Sequence, residues 1–315
     1  ISLHTFRRQV IQTLADIESA YWNLFFARQS LAIQRELLSQ TIATLELVRA
    51  RLKLDALPVT EKQTESAVAS RRADVIRLAA DVRDAEDQLK NLINDPKLPI
   101  GEDIAIVPND APLTARIRLT PRQELAVGLE NRSELAEARL NVANAGIGRG
   151  VAKNQLLPKL DLFLQWNFNG LGGSWTDTHD SLFGDNFQDY VVGLTFEFPL
   201  GNRSAEAGVR KAKLQYRQAL TQYHNTAADV MTDIQIALRN VQTSYDEILA
   251  NQEAAAAAQD NLTTLEERVE RLDSAFLDVR LQAQETLANA RRALVQAIVN
   301  YNVAIINLER AKGTL

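Results

Sequence analysis

Residues able to do chemistry are few in this chain and poorly spaced for it. Its three histidines, His4, His179 and His224, lie far apart without ligand spacing. They read as surface histidines, not as a metal or acid–base centre. Asp177, Asp180, Asp185 and Asp189 share a polar loop, but their spacing fits no calcium-binding loop, so a solvated loop is expected. Gly170-Leu171-Gly172-Gly173 follows a strand pattern yet opens a polar loop instead of a helix, which is not the phosphate-binding context. Gly146-Ile147-Gly148-Arg149-Gly150 lies in a helical region, where it would permit close packing or a kink. The absence of cysteine excludes thiol nucleophiles, disulfides and thiolate metal sites. No Ser-His-Asp set, carboxylate pair or nucleophile elbow stands out. No catalytic residue, cofactor site or metal site is expected, and the chain does not read as an enzyme.

The aromatic residues carry a different message. Trp166, Phe168 and Tyr190 sit near the ends of two segments that alternate with a period of two. In the first, Leu160, Leu162, Leu164, Trp166 and Phe168 share one face. Asp161, Gln165 and Asn167 share the other, with Phe163 the one exception. In the second, Tyr190, Val192, Leu194, Phe196 and Phe198 oppose Val191, Gly193, Thr195 and Glu197. A strand with one apolar and one mostly polar face puts them in different solvents. Such strands are long enough to cross a bilayer within a barrel, and the three aromatics would form its interfacial belt. The other reading is the core of a soluble sandwich.

Bulk properties narrow the partners. Net charge is −5 with no basic block, so no nucleic-acid partner is expected. Hydrophobic content of 46% and charged content of 24% suit a folded protein. No apolar run reaches the roughly 18 residues of a transmembrane helix. The chain opens Ile1-Ser2-Leu3-His4 without an initiator Met or signal peptide, and reads as a fragment or a mature piece starting partway into a helix.

Glycine and proline are absent from 1–57 and again from 209–312, and cluster between 95 and 208 with Pro58 outside. Their absence over such lengths predicts very long helices, which must pack along their length as coiled coils. Helices are expected over about 4–54, 60–94, 121–157, 203–274 and 278–312. Thr60 is expected to cap the second. Thr120-Pro121-Arg122-Gln123 is expected to open the third with a side-chain cap, and a break is placed near Asn131. The Ala254–Ala258 run suits a tight helix seam or simple helix propensity. The division expected is a first helical hairpin (1–94), a linker (95–120), a helix of a second repeat (121–157), the strand pair with its loop (158–200) and a second hairpin (201–315).

An internal repeat supports this layout. Residues 45–75 match 265–295 at an offset of 220, with eleven identities that include Arg71/Arg291 and Arg72/Arg292. Each copy is a long helix, a tight turn and a returning helix. The tips are Leu57-Pro58-Val59 and Leu277-Asp278-Val279.

Several segments in this order resemble the TolC family of outer membrane efflux proteins. They are Ala15-Asp16-Ile17-Glu18-Ser19-Ala20-Tyr21-Trp22, Asn131-Arg132-Ser133-Glu134-Leu135, Leu157-Pro158-Lys159-Leu160, Phe198-Pro199-Leu200-Gly201-Asn202-Arg203 and the final Leu308–Leu315. The resemblance covers roughly the C-terminal two-thirds of a member, so the chain is read as N-terminally truncated. It implies a mainly α fold: long antiparallel coiled-coil hairpins in two repeats, plus a strand pair of a trimeric twelve-stranded transmembrane β-barrel. It further implies a homotrimer in the Gram-negative outer membrane with a long periplasmic extension. Its partners would be outer-membrane lipid, a periplasmic adaptor and an inner-membrane pump. The function implied is passive conduction in tripartite efflux or type I secretion.

In the family, the hairpin tips form a periplasmic iris. Here the tip candidates are Asp55, Thr60 and Glu61 on the first hairpin, and Arg271, Asp273, Asp278, Arg280 and Gln282 on the second. Val279 and Gln282 occupy the positions where some members carry acidic rings, so a strong acidic gate is not expected; Arg271, Asp273, Asp278 and Arg280 would either make latch contacts between neighbouring hairpins or stand on an exposed, solvated tip. A soluble or periplasmic coiled-coil scaffold or adaptor stands as the alternative, although the short-strand domains of adaptors are not seen.

Overall fold

A stretch without glycine or proline has nothing to interrupt a helix, and the first such stretch forms one, α1, over Ser2–Arg51. The structure is a computed structural model that describes residues 2–51, 58–102, 104–169, 173–175, 188–267 and 274–315. After α1 come α2 (Pro58–Ile93), α3 (Pro121–Asn131), α4 (Ser133–Asn154), β1 (Lys159–Phe168), β2 (Gln188–Glu197), α5 (Arg203–Glu267) and α6 (Ser274–Lys312). The chain is mainly α, with one antiparallel strand pair among the described residues. Residues 1–136 with 227–315 form one unit and residues 137–226 a second; α4 and α5 contribute to both.

In the first unit α1 and α2 form an antiparallel hairpin. Leu24 and Leu31 of α1 meet Val82 and Leu89 of α2. Each pair is seven residues apart, the heptad spacing that keeps an apolar seam on one face. Arg28 and Glu86 pair at 2.5 Å beside this seam. α5 and α6 repeat the arrangement: Leu262 packs with Ala283 and Leu287, and Ala258 joins them. Of the five-alanine run, Ala254, Ala256 and Ala257 stay exposed, so that run is not a continuous tight seam. The two hairpins meet where Val48 packs on Leu277 and Leu281.

Helix ends differ from expectation at two caps. α2 begins at Pro58, so Thr60 is not its cap but lies buried in the first turn. Proline suits a first helical position because its φ is preset and it has no N–H to leave unpaired. Thr120 does precede α3 with extended backbone and Pro121 first, but its side chain makes no cap bond. Its carbonyl instead accepts from the Gln123 and Glu124 amides at 2.9 and 3.1 Å. The break near Asn131 falls at Arg132, where ψ is 121°.

The 95–120 segment is irregular but strapped down. Asn302 accepts from the Leu113 amide at 3.0 Å and donates to its carbonyl at 3.1 Å. The Tyr301 hydroxyl donates to Ala115 O at 2.9 Å and accepts from the Ile117 amide at 3.1 Å. Tyr21 donates to Asp110 at 2.7 Å, and burial together with that carboxylate raises the Tyr21 phenol above its ordinary value.

In the second unit the strands pair from Lys159↔Glu197 to Phe168↔Gln188. Asn202 donates to Leu156 O at 3.2 Å across the base of the strand pair. α4 runs unbroken through Gly146-Ile147-Gly148-Arg149-Gly150. Of these glycines only Gly146 is approached by another element, the Tyr216 ring, and Arg149 lies over that ring at 4.5 Å.

Candidate functional site

The strand register decides what the sheet can do. Leu160 faces Phe196, Leu162 faces Leu194, Leu164 faces Val192, and Trp166 faces Tyr190. Opposed residues of an antiparallel pair share a face, so the apolar faces of both strands coincide. All eight of these side chains are more than half exposed. On the other face lie Asp161↔Thr195, Phe163↔Gly193, Gln165↔Val191 and Asn167↔Asp189. Each strand has ten residues, about 33 Å at roughly 3.3 Å per residue. Tilted by about 40°, that length spans the apolar band of about 25 Å that outer-membrane barrels present to lipid.

The three aromatics come together at one end of the pair. The Trp166 ring lies 5.3 Å from Tyr190, stacked, and 4.8 Å from Phe168. Trp166 Nε1 and the Tyr190 hydroxyl both donate to Gln188 Oε1, at 3.2 and 2.8 Å. The Trp166 and Tyr190 rings thus each join an apolar body to a polar handle at the strand end.

Of the tip candidates, Asp55, Arg271 and Asp273 lie outside the described residues. Thr60 is buried, and its carbonyl accepts from Thr64 Oγ1 at 2.7 Å. Glu61 accepts from Arg49 Nε at 3.0 Å. Arg49 also reaches Glu65, which Lys62 contacts at 2.8 Å. Hydrogen bonds from Lys62 and then Arg49 hold the Glu65 carboxyl below its ordinary range. On the second hairpin Arg280 pairs with Glu266 at 3.6 Å, while Asp278 and Gln282 are exposed.

Two polar centres were not legible from the sequence. The first surrounds Arg71, 5% exposed. Its guanidinium donates to Thr41 Oγ1, to Gln284 Oε1 at 3.1 Å and to Leu281 O at 2.7 Å, joining α1, α2 and α6. Burial lowers the Arg71 pKa, opposed by the more distant Glu285 and Asp74 charges. The second surrounds the α3–α4 junction. Arg132 donates to Ala311 O at 3.1 Å and Asp233 at 3.2 Å, and pairs with Glu134 at 3.1 Å. It borders a cavity of about 510 Å³ that Arg8, Gln12 and Arg310 also line. Lys312 joins Glu124 and Glu309 at 2.8 and 2.6 Å. Burial pulls the Lys312 pKa down, but its bonds to the two carboxylates prevail and raise it.

Comparison with known proteins follows the same lines. The family described as "Outer membrane efflux protein" matches residues 127–314. Outer membrane protein TolC of Escherichia coli (strain K12) is 27% identical over 198 residues, 58% of this chain and 39% of that protein. The chain therefore aligns with well under half the length of this relative. Among solved structures, a membrane protein from Pseudomonas aeruginosa superposes with a TM-score of 0.80 at 19% identity, over 99% of this chain and 70% of that one. The open state of the Neisseria gonorrhoeae MtrE outer membrane channel gives 0.78 at 17% identity, over 99% and 68%. At these identities the structural likeness speaks for the fold: helical hairpins with a barrel-type strand pair.

Proposed function

The chain belongs to the outer membrane efflux protein family, and from that premise we propose that the whole protein is an outer-membrane channel subunit conducting exported substrates passively. It works as a homotrimer, each copy adding strands to a shared twelve-stranded barrel. Its helical hairpins extend the conduit into the periplasm, towards an adaptor and an inner-membrane pump of an efflux or type I secretion assembly. No bond is made or broken by this component.

One observation carries the reading: the strand pair exposes a continuous apolar face and, back to back with it, a polar one, in register across both strands. Lipid outside and water inside is the arrangement in which both faces are satisfied. A soluble scaffold would have to bury Leu160, Leu162, Leu164, Val192, Leu194 and Phe196, and these are exposed. Trp166, Phe168 and Tyr190 then form the belt at one membrane interface. The residues nearest the tips, Thr60, Glu61, Asp278, Arg280 and Gln282, belong to the periplasmic iris, with the charged ones among them latching it.

Membrane fractionation of the full-length gene product tests this. The expected result is extraction from the outer membrane as a heat-resistant trimer that forms channels in planar bilayers. Recovery as a soluble monomer would overturn it.

A further inference from the structure

Charge is segregated along the second unit. From 160 to 202, the strands and the loop between them, there are six acidic residues and no Lys or Arg. The flanking stretches 139–159 and 203–217 carry nine Lys or Arg and a single acid, Glu206. The chain as a whole holds 35 Lys and Arg against 40 Asp and Glu, so this basic excess is local. It gathers at the base of the strand pair, where Asn202 donates to Leu156 O and brings the end of α4 beside the start of α5. Lys153 lies just before that contact and Arg203 directly after it. Lys211 follows along α5, about 12 Å from Arg203 at roughly 1.5 Å per residue. All three are exposed, and none pairs with a carboxylate among the described residues. The other cations nearby are engaged. Arg149 lies over the Tyr216 ring at 4.5 Å, Arg210 meets Glu206 at 3.4 Å, and Lys159 meets Asp161 at 2.9 Å.

The apolar strand face runs out at this same level. Leu157, Leu160, Phe196, Phe198 and Leu200 are each more than half exposed, and the free cations begin directly beyond them. An apolar band followed at once by fixed positive charge matches the layering of an anionic phospholipid leaflet, acyl chains and then phosphates. We propose that Lys153, Arg203 and Lys211 form a basic collar that binds the headgroups of anionic phospholipids in the leaflet facing the periplasm. The inference rests on the functional reading, which puts the helices on the periplasmic side of the apolar band. Ammonium and guanidinium groups donate charge-assisted hydrogen bonds to phosphate oxygens. They are drawn to an anionic surface over about a Debye length, roughly 8 Å at physiological salt. Lys211 starts farthest from the apolar band and covers part of the distance with its long, flexible stem. The sequence between the strands carries Asp177, Asp180, Asp185 and Asp189, which the same headgroups would repel. Acid beyond one end of the strand pair and base beyond the other thus favour one orientation in the membrane.

The test reconstitutes the full-length trimer in phosphatidylcholine vesicles that carry a trace of spin-labelled phosphatidylglycerol or spin-labelled phosphatidylcholine. The fraction of label immobilised by the protein is read from the spin-resonance spectrum. At low salt the wild type is expected to immobilise several-fold more phosphatidylglycerol than phosphatidylcholine, and the excess should shrink as salt rises. Lys153→Gln, Arg203→Gln and Lys211→Gln combined should remove most of the excess. The charge-keeping set Lys153→Arg, Arg203→Lys and Lys211→Arg should retain it. Equal immobilisation of the two lipids by the wild type overturns the collar, and so does a preference indifferent to salt; neither result needs a variant to fold. A glutamine variant with the full wild-type preference overturns it as well. If that variant instead shifts the reversal potential in a potassium chloride gradient, the three cations face the conduit and not the lipid. In each of those cases an inserted trimer has been measured, so the functional reading survives. A wild-type protein that does not insert overturns both.

Discussion

Arg71 and Arg291 are the same residue type at equivalent places in the repeat, yet they meet different fates. Arg291 is partly exposed and bonds Glu36 at 2.9 Å and Gln259 at 2.8 Å. Arg71 is buried and bonds only neutral acceptors on α1 and α6. A buried cation without a bonded carboxylate is held by its hydrogen bonds. The repeat shows both arginines, and each reaches the other hairpin, Arg71 at Gln284 and Leu281 and Arg291 at Glu36; it does not show which one is buried, because that depends on packing between segments more than two hundred residues apart. Arg71→Met would leave Gln284 Oε1 without its donor in a buried site, at a cost of about 1–3 kcal/mol. Denaturant unfolding of the detergent-extracted protein would read this as a lower midpoint, and Gln284→Leu added to Arg71→Met should recover part of it. An Arg71→Met protein as stable as wild type would show that the buried contacts contribute nothing net.

At the scale of elements, the long helices and the strands were legible because their signals are local. Missing glycine and proline, heptad spacing and strict alternation each need only a short window. The caps were less legible. Thr60 and Thr120 have the right chemistry for capping, but proline set the helix start ahead of Thr60, and at Thr120 the main-chain carbonyl does the work. The strap over 104–120 was invisible, since Tyr301 and Asn302 look like ordinary helix residues until the segment they hold is placed beside them. Gly128 in α3 shows how packing overrides propensity. Alanine should favour a helix interior over glycine by about 1 kcal/mol. A Cβ at 128, however, would collide with Ile234 Cδ1 and lie 3.6 Å from the Lys312 backbone, and Ile234 is fully buried, so its side chain would have to shift within the core. Gly128→Ala is therefore expected to destabilise by about 1–3 kcal/mol. A rise in the unfolding midpoint would sink this account, because propensity and packing predict opposite signs.

For the whole molecule, family membership joins features that no single residue explains: two hairpins of one design, and a strand pair with one apolar and one mostly polar face. The tip charges are the part least legible in sequence, because a latch is a relation between hairpins and candidate residues alone do not reveal it. Arg280 reaches Glu266 within its own hairpin, which leaves Asp278 as the exposed acid among the described tip candidates. If tip charges hold the iris closed, Asp278→Asn combined with Arg280→Gln should raise single-channel conductance in planar bilayers. Unchanged conductance would leave the latch without support.

The strand pair carries one more consequence. Its two outer edges present backbone donors and acceptors with no strand beside them among the described residues, and a lone two-stranded sheet is marginal in water. Its final stability must then come from strands of other segments or other copies. Where those belong to other copies, completion of this sheet is a bimolecular or higher-order event. Dilution should slow it, and free copies should shelter their apolar strand faces with chaperones until they meet. Where the completing strands come from other copies, the last step of folding and the first step of assembly are one reaction, with a rate that depends on how many copies are present.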